Sequence, residues 1–166
     1  MAEALLSSNP EHAPCAALMK TLSNEGAIVV FNELLEVELS QVLFAAALRE
    51  RHPKKRLKDI AFDDRIRPRA GRLLTQGQRA WSELLSTLRH SRVDLGEVAA
   101  DVPGLMSRYG LESYDAVHAA TLLSTEIVDF VSLDNGFAKL PPAQIVLHTT
   151  AARVQQTRVR RRRAGF

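Results

Sequence analysis

The sequence predicts an α/β fold, a parallel sheet with helices on both faces. Three short, largely apolar runs carry the prediction: Ala27-Ile28-Val29-Val30-Phe31, Val128-Asp129-Phe130-Val131-Ser132 and Ile145-Val146-Leu147-His148. Segments of helical period separate them. Short apolar strands that alternate with helices are those of a parallel sheet covered on both sides. Neither an internal repeat nor a linker interrupts the pattern, so residues 1–150 read as one domain with a basic tail, 151–166.

The elements follow in order. Asn9 and Pro10 form a cap and first-turn pair that starts a helix running to about Ser23. Gly26 ends it, and the first strand follows. Asn32 caps a helix from Glu33 to about Arg51, which Pro53 stops. The basic stretch from Lys54 to Gly71 is irregular, with Pro68 and Gly71 as breakers. A long helix is expected over Leu73–His90. Another starts near Asp94, is interrupted at Pro103-Gly104 and ends at Gly110. Ser113 caps the helix that carries Asp115. Pro141-Pro142 separates the last two strands. From Arg153 onward no apolar period remains, and the tail is expected to be disordered.

Composition narrows the class. With 46% hydrophobic and 25% charged residues, 166 residues suit a globular domain with a real core. The single cysteine, Cys15, cannot form an internal disulfide, and a cytoplasmic setting fits. The start, Met1-Ala2-Glu3-Ala4-Leu5-Leu6, does not read as a signal peptide. The longest apolar run, Val42 to Leu48, is too short to span a bilayer. The net charge is only +3, but it is unevenly spread. Residues 49–72 hold ten Lys/Arg against four Asp/Glu, and residues 151–166 hold six Arg and no acid. The rest of the chain is acidic. That distribution suits a protein that holds a polyanion and gathers carboxylates at a metal.

Three acids stand out. Glu38 has Leu34, Leu35, Val42 and Ala45 within about 60° of it on the helical wheel. Glu33, Glu36 and Ser40 form the polar side. A carboxylate in an apolar stripe needs a compensating charge or proton. Asp115 lies in the first turn of its helix, where the dipole favours an acid in any case. The small residues Ala116, Ala119 and Ala120 let that helix approach the sheet closely. His118, one turn on, reads as a packing or supporting residue rather than a ligand. Asp134-Asn135-Gly136 is by itself a turn signal. Carboxylates that converge on one point cannot all ionise there without a cation, and oxygen-only ligands select Mg²⁺ or Mn²⁺. A phosphate-binding glycine loop, a zinc-spaced Cys/His set and a Gly-x-Ser-x-Gly elbow are all missing from the sequence.

Two segments, Tyr114-Asp115-Ala116-Val117-His118-Ala119-Ala120 and Val131-Ser132-Leu133-Asp134-Asn135-Gly136-Phe137, resemble motifs of the PIN-domain ribonucleases, the fold of VapC-type toxins. The latter segment is similar to the family's Thr-x-Asp-x-x-Phe run, with Ser132 for Thr. Asn32 to Leu39 resembles its Ser-x-x-Thr-x-x-Glu-Leu segment and places the family Glu at Glu38. The likeness covers about residues 5–148. It implies a PIN-like domain in which Glu38, Asp115 and Asp134 are the catalytic, metal-holding residues. The implied activity is hydrolysis of RNA phosphodiester bonds with Mg²⁺ or Mn²⁺. The implied setting is the toxin of a type II toxin–antitoxin pair, a homodimer with a small antitoxin as partner. One part of the pattern is not matched. Family members open with a hydrophobic strand ending in an Asp, whereas Met1 to Ser8 resembles the helix that comes after it. Glu3 does not match the position of that Asp. This departure supports an alternative expectation, an inactive or impaired PIN-like module that binds RNA or a protein.

Overall fold

The computed structural model describes residues 11–53, 64–141 and 144–148. The expected start at Asn9-Pro10, the heart of the basic stretch and the arginine tail lie outside the described residues. The chain divides into two compact units, Met1–Arg92 and Val93–Phe166.

In the first unit, helix α1 spans His12–Asn24 and buries Met19. Gly26 turns the chain at φ +66, a left-handed conformation that glycine adopts without strain. Strand β1, Ile28–Asn32, becomes more buried toward its end. Asn32 is 1% exposed and caps helix α2, Glu33–Arg51, by accepting the Leu35 N–H at 3.3 Å. Glu33 and Glu36 occupy the first turn, where the dipole favours acids. Both helix bounds and cap agree with the sequence reading.

Helix α3, Arg67–Thr87, starts earlier than expected. Pro68 sits in its first turn, where a missing N–H costs nothing, so it opens the helix rather than breaking it. Gly71 is carried inside the helix at a propensity cost of about 1 kcal/mol. The helix also ends earlier. Leu88 turns extended, and Arg89–Val93 form strand β2, which pairs with β1. The Ser23 hydroxyl donates to the Thr87 carbonyl at 2.7 Å and ties the ends of α1 and α3 together.

Helices α2 and α3 pack along each other. One cluster joins Phe31, Leu39, Leu43 and Trp81; another joins Ala47, Leu48, Ile66 and Ala70. At Gly77 the helices meet so closely that a Cβ there would collide with the buried Leu43 side chain. Gly77→Ala is therefore expected to destabilise the chain by about 1–3 kcal/mol, because overpacking outweighs the better helix propensity. Urea unfolding measures this, and an unchanged or raised midpoint would show that Leu43 moves aside freely.

The second unit begins with a short helix, α4, Leu95–Val98, capped by Asp94, which accepts the Gly96 N–H at 2.6 Å. Helix α5, Val102–Tyr109, carries Pro103 in its first turn and ends at Gly110 with φ +62. The expected interruption at Pro103 is thus the start of a new helix. Helix α6, Ser113–Ser124, has Glu112 at its cap position, and Ser113 is its first residue rather than its cap. Strand β3, Asp129–Val131, pairs in parallel with β4, Val146–His148, in the register Asp129↔Val146, Phe130↔Leu147, Val131↔His148. A short 3₁₀ helix, Asn135–Lys139, lies between them in sequence.

The core of this unit joins Leu111, Ala116, Ala119, Leu122, Phe137, Leu140 and Ile145, with Phe130 and Leu147 against it. Alternation along the strands turns Asp129, Val131, Val146 and His148 the other way. Val131 and Val146 are about half exposed, so none of the described helices covers that face. Mixed helix and strand with parallel pairing fits the α/β class. The strands described, however, form two separate two-stranded sheets rather than one sheet. None of the helices is long and apolar enough to cross a membrane, among the described residues.

Candidate functional site

The site is built on the second unit, from the start of α6 and the turn after β3. Asp115 sits in the first turn of α6 and is half-buried. Ala116, Ala119 and Ala120 are buried at 0%, 0% and 1% exposure, so this helix lies close against its neighbours, as the small side chains predict. Leu122 completes its inner face, and Leu111, just before the helix, packs in the same cluster.

Asp134 is set by its own turn. The Ser132 N–H donates to the His148 carbonyl at 3.1 Å, which extends the β3–β4 ladder to Ser132. The Ser132 hydroxyl then accepts the Asp134 N–H at 3.0 Å. Asp134 accepts the Gly136 N–H at 2.7 Å and caps the 3₁₀ helix. Phe137 pins that helix into the core, 3% exposed, with its ring 4.5 Å from Phe130 in edge-to-face contact. Lys139 closes the turn by donating to the Gly110 carbonyl at 2.6 Å. The Asp134 carboxylate is thus held by the Gly136 N–H, in a turn fixed by the Ser132 hydroxyl and the buried Phe137 ring.

The two aspartates meet at Gly136. A Cβ placed there would lie 3.1 Å from Asp115 Oδ2 and 3.2 Å from Asp134 Oδ1. Two carboxylate oxygens, from residues 19 apart in sequence, therefore flank one position, and a methyl group there would press on both. Gly136 was legible in the sequence only as part of a turn. Its second property, room for two carboxylates, needs the spatial approach of α6.

Among the described residues of this unit, eight Asp/Glu stand against two Lys/Arg, Arg108 and Lys139. Lys139 reaches the Gly110 carbonyl and Arg108 lies over the Tyr109 ring at 5.2 Å. The donor set fits Mg²⁺ or Mn²⁺, which take oxygen ligands and are often held by one or two carboxylates together with water and a phosphate. Among the described residues, no group of three or more His, Cys, Asp or Glu is positioned to hold a metal.

Glu38 belongs to the first unit. It is half-buried on α2. The α2 face that packs on α3 is Leu35, Leu39, Leu43 and Ala47, and Leu43 lies about 140° around the helix from Glu38. The acid at the edge of that face is Glu36, whose carboxylate accepts the Trp81 indole N–H at 3.2 Å. Glu33 and Glu36 also pair with Arg92, at 2.5 and 3.8 Å. The expected stripe around Glu38 is mixed: Leu34 is buried, whereas Val42 is 40% exposed. A helix with apolar residues on more than one face does not reveal which face packs. His118 is half-buried one turn beyond Asp115.

No family model matches this chain, and no curated protein matches it.

Proposed function

We propose that this protein is a metal-dependent endoribonuclease of PIN-like type. The observation that carries the reading is the convergence of Asp115 and Asp134 at Gly136. The two carboxylates come from the two segments whose sequence most resembles the PIN motifs. Together they would hold Mg²⁺ or Mn²⁺, with Glu38 assigned as third carboxylate on the sequence resemblance alone. When bound, the metal supplies Lewis acidity toward a phosphoryl oxygen and lowers the pKa of a water. The chain's own residues orient the site: Ser132 fixes the Asp134 backbone, Gly136 leaves the room, and Phe137 anchors the turn. By the same resemblance the protein would be a toxin whose antitoxin covers this acidic surface, and a homodimer in the cytoplasm.

Cleavage of a labelled RNA by the purified chain tests the reading. Cleavage with Mg²⁺ or Mn²⁺ that stops on chelation is expected. A folded chain that cleaves with neither metal would overturn it and favour the alternative, an inactive module that binds RNA or a protein. The observation on that side is the small size of the carboxylate group, two acids at Gly136.

Gly136→Ala adds a methyl group at the point where the aspartates meet. Activity is expected to fall by about 10–100-fold, the usual effect of disturbing the shell that orients metal ligands. Unchanged kcat/KM in that variant would place the metal elsewhere.

A further inference from the structure

Helix α3 has an outer face that its packing does not use. Arg69, Arg72, Gln76, Arg79 and Glu83 fall within about 80° of arc on it, and all are exposed. The buried residues Ala70, Gly77 and Trp81 lie on the opposite side, so the polar row is held outward by the core. From Arg69 to Arg79 the row is about 15 Å long, several times the ~3.4 Å rise per nucleotide of a stacked strand. Its carboxylates are also exposed. Arg69 makes a two-pronged pair with Glu50, and Arg79 pairs with Glu83 at 2.8 Å. Exposed pairs of this kind exchange readily for another anion, because they gain little in water. A phosphate takes the same planar fork from arginine that a carboxylate takes.

We infer that the outer face of α3 is a backbone-docking surface for single-stranded RNA, with Arg69, Arg72 and Arg79 each on a phosphate along about 15 Å of the strand. A straight row of guanidinium groups with few aromatic residues fits a chain of phosphates better than it fits bases, so contact is to the backbone and tolerant of sequence. Arg79 lies beyond the basic stretch 49–72, and only the helical phase brings it into line. The choice of RNA among polyanions rests on the function proposed above; the docking itself does not require cleavage.

Binding of the full chain to a fluorescein-labelled oligouridylate, in EDTA and over a salt series, tests the inference. The triple variant Arg69→Gln/Arg72→Gln/Arg79→Gln is expected to bind at least ~10-fold more weakly. Its salt slope should fall by about 2, three contacts at ~0.7 each. Glu83→Gln releases Arg79 and is expected to tighten binding, which a purely structural role would not do. Unchanged affinity and slope in the triple variant overturns the inference. So does preference of the wild-type chain for vesicles of anionic lipid over RNA. Arginine-dependent binding by a chain that never cleaves would overturn the enzyme reading and leave this one standing.

Discussion

Asp115→Asn is expected to abolish metal-dependent RNA cleavage while the protein stays folded. A loss of about 100–1,000-fold is the scale for removing one group that stabilises developing charge at a reacting centre. The fold should tolerate the change. Asp115 is half-buried, and the placing of its charge in the first turn of α6 is worth about 0.3–1 kcal/mol. Asn keeps the shape and one oxygen but withdraws the charge that a metal needs. Asp134→Asn makes the same point from the other side. Asn caps helices as well as Asp, so the hydrogen bond from the Gly136 N–H survives and only the charge is lost. Single-turnover cleavage with Mn²⁺, beside circular dichroism melting, separates the two effects. Cleavage at wild-type rate by either variant would remove the aspartate pair from the mechanism.

The largest stability effect is expected at Trp81. Its side chain is 5% exposed, its ring lies 5.2 Å from Phe31 in edge-to-face contact, and its indole N–H reaches Glu36 at 3.2 Å. Trp81→Ala removes the largest ring from the α2–α3 core and should cost about 3–5 kcal/mol. Trp81→Phe keeps a ring and loses the hydrogen bond, at about 0.5–1.5 kcal/mol for the bond itself. Urea unfolding of the three proteins gives the comparison. A cost below about 1 kcal/mol for the Ala variant would mean that α2 and α3 close over the gap, against the packing described.

Much of the fold was legible where local chemistry decides it. Asn32 and the apolar rows after it place α2 from Glu33 to about Arg51, because a capping side chain and a following period are sequence-local signals. Pro68 misled because proline breaks a helix interior yet opens a first turn, and only the position of the helix start tells which. Strand β2 was missed for a different reason. Arg89-His90-Ser91-Arg92 is polar and exposed, so it has no apolar alternation; its pairing with β1 is a tertiary fact. At the site, Asp115 and Asp134 could be singled out from their motifs, but each alone also reads as a helix-start acid and a turn cap. Both of those roles are present. What the sequence could not show is that the two roles place their oxygens at one glycine. The wheel argument for Glu38 assumes one apolar face, and α2 has apolar residues on more than one, so the resemblance of Asn32 to Leu39 is the ground that remains.

The separate cores have a consequence for how the protein comes apart. Trp81, Leu43 and Phe31 belong to one cluster, and Phe137, Ala116 and Ala119 to another, with no residue in common. Every hydrogen bond described for Asp134 and every ring contact of Phe137 is made inside residues 93–148. Amide exchange should therefore report two protection levels rather than one. A destabilised α2–α3 pair would lower the first and leave the second. The aspartate pair would then persist through a partial opening that exposes Trp81, whereas cleavage, which also calls on Glu38 of α2, would be lost together with the tryptophan fluorescence.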